Sequence, residues 1–346
     1  MKLDWKRASI LISALIAAGL LFLWSGLLDV RASTGHWRIT DLFLHWVMRS
    51  SVRTAALGTD PPPFTPGMLP LAAGHYEIGC AGCHGSPAIP RPSAAVNMLP
   101  PPPDLKDVEA NWTDGELFEI VRHGVRYTGM PAWPAQQRED EVWAMVAFIR
   151  QYPRLSGPAY MDLAGFAATQ SSNFGQIVET CKGCHSPDRL DHDSLIPRLE
   201  GQSEIYLRDS LQAFADGKRL SGTMKAALSQ ISPEDRLRLA AHFAEGDTRT
   251  PPLTQNSDAG RAISDDSDRR RKIPTCVACH DTNNANAAYP RLAGQPSAYL
   301  ESQLRLFREG NRGGGPYRDL MSKAAANLSD DDIRALASYY GSLPRN

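Results

Sequence analysis

The chain opens with a long run of residues that carry no charge. Residues 8–28 read ASILISALIAAGLLFLWSGLL, and Lys2, Lys6 and Arg7 stand before them. A helix of this length rises about 30 Å, at about 1.5 Å per residue, which matches the hydrocarbon core of a bilayer. The run therefore predicts a membrane-spanning helix with the N-terminus in the cytoplasm and the remainder outside. The alternative is a long cleaved signal peptide, because residues 30–32 (VRA) resemble a cleavage site.

The next stretch, residues 36–53, mixes aromatic, aliphatic and arginine side chains. This blend is typical of a helix that lies at the headgroup level of a membrane. His36 and His45 within it are interpreted as interfacial residues, with a metal-ligand role as the alternative. Residues 57–70 (LGTDPPPFTPGMLP) then predict a stiff spacer between the membrane and the rest of the chain.

Beyond the spacer, apolar positions recur with helical spacing, as in EDEVWAMVAFI (139–149), and no run keeps the alternation of a β-strand. Thr113 with Glu116, and Ser329 with Asp332, have the spacing of capping boxes that begin helices. The predicted fold class is therefore all-α.

Composition narrows the function classes. The hydrophobic fraction of 42% is enough for globular cores, and the formal net charge is −1. This balance gives no basic excess that would indicate a nucleic-acid partner.

All six cysteines lie in one pentapeptide pattern that occurs three times: CAGCH at 80–84, CKGCH at 181–185 and CVACH at 276–280. Two thiols about one helical turn apart can each form a thioether to one haem, and the adjacent histidine then faces the iron. The pattern predicts three covalently attached haem c groups, with iron ligands His84, His185 and His280. The predicted attachment residues are Cys80, Cys83, Cys181, Cys184, Cys276 and Cys279.

Three other uses of these cysteines fit less well. A structural zinc site needs four ligands, usually from paired C-x-x-C knuckles, whereas here the knuckles are odd in number and far apart. A thioredoxin-like pair would occur once, beside a βαβ pattern. A disulfide within C-x-x-C would close too small a loop to stabilise much.

The second axial ligand of each iron is sought among the methionines, because His/Met ligation is the cytochrome c pattern and raises the potential. Between the second and third pentapeptides the only methionine is Met224, and after the third the only one is Met321. We predict these two as axial ligands. Open alternatives are His192 and His242 for the second haem, and Lys323 or an open site for the third.

The first unit has three methionines to choose from. Met130 lies between Gly129 and Pro131 in a tight extended loop that can present a side chain to iron. Met145 falls in a helical stripe and is predicted to be a core residue, and Met98 in a proline-rich loop stays as a rival. We predict Met130 as the axial ligand.

The second and third units are internal repeats. IPRLEGQSEIYLRDSLQAF (196–214) aligns with YPRLAGQPSAYLESQLRLF (289–307). We predict a membrane anchor at 1–35, an interfacial segment and proline-rich linker at 36–70, and haem domains at 71–155, 171–246 and 258–346. These last three ranges are called the first, second and third units below.

These motifs resemble known c-type cytochromes. Residues from about 171 to 346 are similar to the dihaem cytochrome c4 family, through two C-x-x-C-H sites, two P-R-L-x-G-Q motifs and two later methionine loops, around Met224 and Met321. Residues from about 70 to 155 resemble a single-haem cytochrome c domain marked by C-x-x-C-H-G, PPPDL and HG-x-x-x-TGMPAW. With the anchor, this part looks like membrane-anchored proteobacterial cytochromes of respiratory chains.

The resemblance implies roles for further residues. In such families a proline carbonyl accepts a hydrogen bond from the proximal histidine, which carries over to Pro197 and Pro290. The arginine of the same motif often faces a haem propionate, which implies Arg198 and Arg291. The first unit lacks this motif, so its equivalent proline stays open among residues 100–103.

The function predicted from these features is electron transfer without catalytic residues. A triheme cytochrome in the bacterial inner membrane, with its haem domains in the periplasm, would link a respiratory donor to an acceptor. Donors are a quinol-oxidising complex or a dehydrogenase, of which this chain could be the cytochrome subunit; acceptors are a terminal oxidase, a reductase or a soluble cytochrome. The alternative is a haem enzyme of the peroxidase type, although one methionine per unit argues against an open iron.

Overall fold

The fold was analysed in a computed structural model, which describes residues 4–27, 31, 35, 37–108, 111–165, 173–246, 257–266, 268, 270–280 and 286–345. Within these ranges the regular structure is helical, and the strand-like feature is one isolated antiparallel bridge between Asp268 and Ile273. The all-α fold class is therefore confirmed. His36 lies outside the described residues.

The α-helices of the described ranges are α1 (Trp5–Trp24), α2 (Arg38–Ala55), α3 (Met68–Gly79), α4 (Ala81–His84), α5 (Ser93–Val96), α6 (Asp114–His123), α7 (Glu139–Gln151), α8 (Gly157–Ala164), α9 (Phe174–His185), α10 (Glu204–Ala215), α11 (Gly222–Leu228), α12 (Pro233–Ala244), α13 (Asp258–Asp265), α14 (Val277–His280), α15 (Ser297–Arg308), α16 (Arg318–Ala325) and α17 (Asp330–Ser342). Three short 3₁₀ helices cover Leu105–Asp107, Tyr152–Arg154 and Pro187–Arg189.

Three separate hydrophobic cores form, one around each pentapeptide. In the first, α3 packs on α7 and α8; in the second, α10 packs on α12; in the third, α17 packs on α13 and α15. Full burial of one large apolar side chain stabilises the folded state by about 1.5–3 kcal/mol, so each core is a substantial source of stability. Central side chains of the three cores are Tyr76, Met145 and Phe148; Val178, Leu239 and Phe243; and Ile333, Leu336 and Tyr340.

Two predicted helix starts, each at a capping box, are confirmed. Thr113 N donates to Glu116 Oε2 at 2.8 Å, and Glu116 N donates to Thr113 Oγ1 at 3.3 Å, so α6 begins with a complete capping box. Ser329 and Asp332 form the same box at the start of α17. Each box satisfies backbone N–H groups that a helix end otherwise leaves unpaired.

The methionine segments differ from the expectation in two of the three units. Met224 lies within α11 and Met321 within α16, so the prediction of methionine loops there is wrong. Alanine, leucine and lysine near both methionines are strong helix formers, and Ser221 caps α11 by accepting a hydrogen bond from Met224 N at 3.1 Å. Met130 does lie in irregular structure between α6 and α7.

The N-terminal helix α1 is exposed along its whole length. Among the described residues it is the one helix long and apolar enough to cross a membrane. It begins at Trp5, before the predicted start at Ala8, because Asp4 caps it by accepting from Lys6 N at 3.3 Å. It ends at Trp24, and residues 25–27 are not helical, so the helix stops earlier than the predicted end at Leu28, which itself lies outside the described residues.

The second unit contacts both of its neighbours. Helix α3 of the first unit packs on α9 and α11 of the second. A Cβ atom at Gly74 would stand 2.9 Å from Cys184 Sγ, so glycine is needed for this close approach. On the other side, Gln202 and Gln295 join the second unit to the third through the hydrogen bonds described below.

Candidate cofactor sites

The six cysteines form no disulfide and lie at the ends of helices or within them. Cys80 ends α3, Cys184 lies in α9, and Cys279 lies in α14. Burial raises the pKa of Cys80 to about 12 and that of Cys276 to about 11, so these thiols stay protonated at neutral pH. Each unit therefore presents two thiols outside any disulfide and a histidine on one turn of helix.

Each pentapeptide histidine turns its Nδ1 atom to a proline carbonyl. The pairs are His84 with Pro103 at 3.0 Å, His185 with Pro197 at 2.8 Å, and His280 with Pro290 at 3.1 Å. When the Nδ1–H donates to a carbonyl, Nε2 keeps the lone pair that binds a metal. The bonds implied at Pro197 and Pro290 are present, and the geometry selects Pro103 from the four candidates of the first unit.

The electrostatics of these histidines favour the neutral ring. Burial lowers the pKa of His185 and of His280, while the hydrogen bond to the proline carbonyl opposes the change. The same two effects act on the pKa of His84, with the positive charge of Arg91 lowering it further. A neutral imidazole is the form that ligates iron.

The three methionines predicted as axial ligands have similar exposure, and the prediction for each stays a prediction. Met130, Met224 and Met321 are all half-buried. A Cβ atom at Gly129 would stand 2.5 Å from Met98 Cε, so Met98 reaches the same loop as Met130. The choice of Met130 over Met98 therefore stays a prediction.

The two alternative histidine ligands of the second haem are exposed. His192 pairs with the neighbouring Asp193 at 3.3 Å. His242 lies against Phe174, with ring centroids 6.5 Å apart. His45 on α2 directs Nδ1 to the carbonyl of Asp41 at 2.9 Å within its own helix.

The two P-R-L-x-G-Q motifs meet in a reciprocal set of hydrogen bonds. Arg198 N donates to Gln295 Oε1 at 3.0 Å, and Gln295 Nε2 donates back to the Arg198 carbonyl at 2.9 Å. Arg291 N and Gln202 repeat the pattern at 2.9 and 2.7 Å. The motif thus joins the second unit to the third through its backbone, while the Arg291 side chain donates to the Gly201 carbonyl. A propionate contact by either arginine stays a prediction.

Two buried polar residues of the first unit were not singled out from the sequence. Glu141 is 3% exposed and His75 is 4% exposed. Glu141 lies on the same helix face as Met145 and Phe148, which follow it by four and seven residues. A charged residue on an otherwise apolar helix face was the sequence signal that could have singled it out. His75 lies five residues before Cys80, with its ring centroid 4.2 Å from that of Trp133.

The residues fit a covalently held haem. Each unit supplies two thiols that are in no disulfide, one imidazole with Nδ1 already bound, and at least one methionine thioether. These are the donor atoms of c-type haem, in which thioethers hold the ring and nitrogen and sulfur bind the iron.

Comparison with known proteins supports this assignment. Residues 70–149 match the family described as cytochrome C oxidase, cbb3-type, subunit III, and residues 257–344 match the cytochrome c family. Cytochrome c4 of Pseudomonas aeruginosa is 34% identical over 189 residues, which cover 53% of this chain and 94% of that protein. This chain belongs to the cytochrome c4 family. It is a c-type cytochrome that binds covalent haem c and contains a c4-like pair of units.

Two further relatives share this part of the chain. The thiosulfate dehydrogenase electron acceptor of Stutzerimonas stutzeri is 32% identical over 170 residues, which cover 47% of this chain and 78% of that protein. The crystal structure of reduced recombinant cytochrome c4 from Pseudomonas stutzeri is 30% identical, with a TM-score of 0.41, and the match covers 50% of this chain and all of that one. The family matches and the sequence relatives show that this c4-like cytochrome is an electron-transfer protein.

Proposed function

We propose that this cytochrome carries three haems and moves electrons on the periplasmic side of the bacterial inner membrane, tethered by α1. The observation that carries the proposal is the threefold repetition of one arrangement, in which a pentapeptide histidine binds a proline carbonyl through Nδ1. Haem c supplies a one-electron iron centre that cycles between ferric and ferrous states.

The chain's own residues then have distinct tasks. The cysteines would attach the haem, and the histidines would bind iron through Nε2 while the proline carbonyls hold the imidazole orientation. Met130, Met224 and Met321 would supply the second iron ligand of each haem, and a thioether ligand raises the potential. A closed iron passes electrons without binding substrate, which favours a carrier over an enzyme of the peroxidase type.

The partners follow from the relatives. Proteins named for accepting electrons from thiosulfate dehydrogenase match the c4-like pair. We therefore propose a dehydrogenase or a quinol-oxidising complex as donor, and a terminal oxidase, a reductase or a soluble cytochrome as acceptor. Net charge −1 gives no general attraction to one partner, so docking depends on local patches.

Helix α2 supports the membrane location. Ile39, Leu42, Phe43 and Trp46 form one stripe and are 58–78% exposed. Helix α2 also packs on α6 of the first unit, and further along α2 the Arg49 guanidinium lies 4.9 Å from the ring centroid of Trp112. An apolar stripe beside a candidate membrane helix suits the headgroup layer, and it would hold the first unit at the membrane surface.

The test is haem counting combined with carbon monoxide binding. Three covalent haems per chain, found by spectroscopy and by mass spectrometry of the three pentapeptides, are expected. The unmutated ferrous protein should bind little carbon monoxide, whereas Met130→Ala, Met224→Ala and Met321→Ala should each open one iron. Met98→Ala is the matched control for the first unit. Stoichiometric carbon monoxide binding by the unmutated protein would contradict the carrier function.

The tether is tested separately. Removal of residues 1–31, with a cleavable signal supplied, should give a protein that keeps its haems and binds anionic vesicles only through α2. Trp46→Ser in that shortened protein should then abolish vesicle binding. Trp112→Ser on the first unit is the control, because it removes the contact with Arg49 of α2 and leaves the apolar stripe of α2 unchanged. Binding that is unchanged by Trp46→Ser would show that α2 does not face lipid.

A further inference from the structure

A buried carboxylate of the first unit reaches into the second unit, at the start of the helix that carries Met224. Glu141 Oε1 accepts a hydrogen bond from Ser221 Oγ at 2.6 Å, and Oε2 accepts one from Gly222 N at 2.6 Å. Oε2 also accepts from Trp133 Nε1 at 3.3 Å. The carboxylate thus binds the first turn of α11 with both of its oxygens.

Arg138 strengthens the same junction from the neighbouring turn of α7. Its Nη1 atom lies 3.1 Å from Glu141 Oε1 and donates to the Leu220 carbonyl at 2.7 Å. Asp140 pairs with the guanidinium from the outer side, at 2.8 Å. Both Arg138 and Glu141 are nearly inaccessible to water, so the loss of Arg138 would leave the Glu141 charge buried without a counter-charge, whereas the loss of Glu141 would leave Arg138 paired only with the more exposed Asp140.

The first turn of α11 has little room to move. A Cβ atom at Gly222 would stand 2.4 Å from Trp133 Nε1, so the backbone lies directly on the indole. Ser221 Oγ donates to Glu141 and at the same time accepts from Met224 N at 3.1 Å. One hydroxyl therefore connects the carboxylate of the first unit with the backbone of Met224.

We propose that Glu141 is a positioning residue for the axial methionine of the second unit, so that the first unit sets the iron–sulfur bond of its neighbour. The inference rests on the proposed function, because it requires Met224 to bind iron. Burial of Glu141 makes the hydrogen bonds at α11 stronger than they would be in water, since little solvent competes for them.

The third unit provides a reference within the same molecule. Helix α16, which carries Met321, begins after Tyr317 without a side-chain cap hydrogen bond. Arg318 and Asp319 at its first turn pair with each other and are 53% and 81% exposed in their side chains. The described residues at this start include no buried carboxylate, so Met321 should not respond to changes at Glu141.

The decisive variant is Glu141→Gln. An amide offers one acceptor oxygen where the carboxylate offers two, so if its oxygen faces Gly222 N its nitrogen faces two donors, Ser221 Oγ and Arg138 Nη1, and Arg138 loses its buried counter-charge. The readout is the ε-methyl proton resonance of each axial methionine in the ferrous protein, assigned with Met224→Ala and Met321→Ala. We expect the Met224 signal to shift or broaden, the potential of that haem to fall, and its carbon monoxide affinity to rise about tenfold. The Met321 signal and potential should not change.

The outcomes separate this inference from the proposed function. If Met224→Ala opens no iron, Met224 is not a ligand and both are overturned. If Met224→Ala opens one iron but Glu141→Gln leaves its resonance and potential unchanged, only the positioning role is overturned. Equal changes at all three haems would show a general structural effect and also overturn it.

A second pair of variants covers the case in which Glu141→Gln does not assemble with full haem content. Ser221→Ala removes the hydroxyl between Glu141 and Met224 N, and it should move the same resonance in the same direction. Ser229→Ala is the control on the same helix, because that exposed hydroxyl donates to the Ala226 carbonyl and lies at the other end of α11. An unchanged Met224 signal in Ser221→Ala would overturn the proposal.

Discussion

The burial of His75 predicts a pH-dependent stability of the first unit. The imidazole is 4% exposed, and burial lowers its pKa from 6.5 to about 4. In the unfolded chain the ring binds a proton near pH 6.5, whereas in the folded protein it does so only near pH 4. The stability that comes from the neutral ring is therefore complete above pH 6.5 and is lost as the pH falls from 6.5 to 4.

The size of the effect follows from the two pKa values. At about 1.4 kcal/mol per pH unit, the change amounts to about 3 kcal/mol over that interval. His75→Phe keeps a ring against Trp133 and cannot bind a proton, so its stability should not carry this slope. At pH 7 the variant should be within about 1 kcal/mol of the native protein, because His75 Nδ1 is buried without a hydrogen-bond partner and its removal costs little.

Hydrogen exchange measured by mass spectrometry on α3 and α7, at pH values from 7 to 4, reports the local free energy of unfolding. The matched control is His123→Phe, because His123 is in the same unit but has an exposed side chain. It should keep the native slope. A slope between pH 6.5 and 4 that is the same in His75→Phe and in the native protein would refute the reasoning.

Two further predictions concern the c4-like pair. Gln202→Ala removes the two partly buried hydrogen bonds to the N–H and carbonyl of Arg291, and it should destabilise the paired units by about 1–3 kcal/mol in denaturant unfolding. The exposed Gln212→Ala should change stability by less than about 0.5 kcal/mol. Asp332 has its pKa lowered to about 2, first by the hydrogen bond from Arg271, so the stability it contributes is present above pH 3.8 and is lost as the pH falls to 2. Asp332→Asn should abolish this dependence of stability on acidic pH, and it should lower the free energy of unfolding at pH 7 by only about 1 kcal/mol, because the partly exposed Arg271 is screened by solvent. If the free energy of unfolding of the variant still falls between pH 3.8 and 2 as in the native protein, Asp332 is not the group responsible.

Features that depend on a few neighbouring residues could be predicted from the sequence. The capping boxes at Thr113 and Ser329 were found because both members lie within one helical turn. The helical position of Met224 was accessible on the same basis, since Ser221 is a good N-cap and good helix formers follow it. The expectation of a loop there gave too much weight to the irregular structure around Met130.

Features that depend on distant residues were not predictable in this way. Glu141 and Ser221 are eighty residues apart, and no local sequence pattern indicates that their side chains form a hydrogen bond. Pro103 was one of four consecutive prolines, and only the three-dimensional path of the loop decides which carbonyl reaches His84. The reciprocal bonds of Gln202 and Gln295 likewise arise from docking of two repeats.

The contacts between units determine the route that electrons would take among three haems. Gly74 lies against Cys184 and is six residues from Cys80 on one helix, a rise of about 9 Å, so attachment points of the first and second haems are neighbours. Gln202 and Gln295 hold the second unit directly on the third. The second unit therefore contacts both of the others, and we expect an electron that moves between the first and third haems to pass through the second. On this expectation, the proposed control of the Met224 helix by Glu141 acts on the haem between the other two.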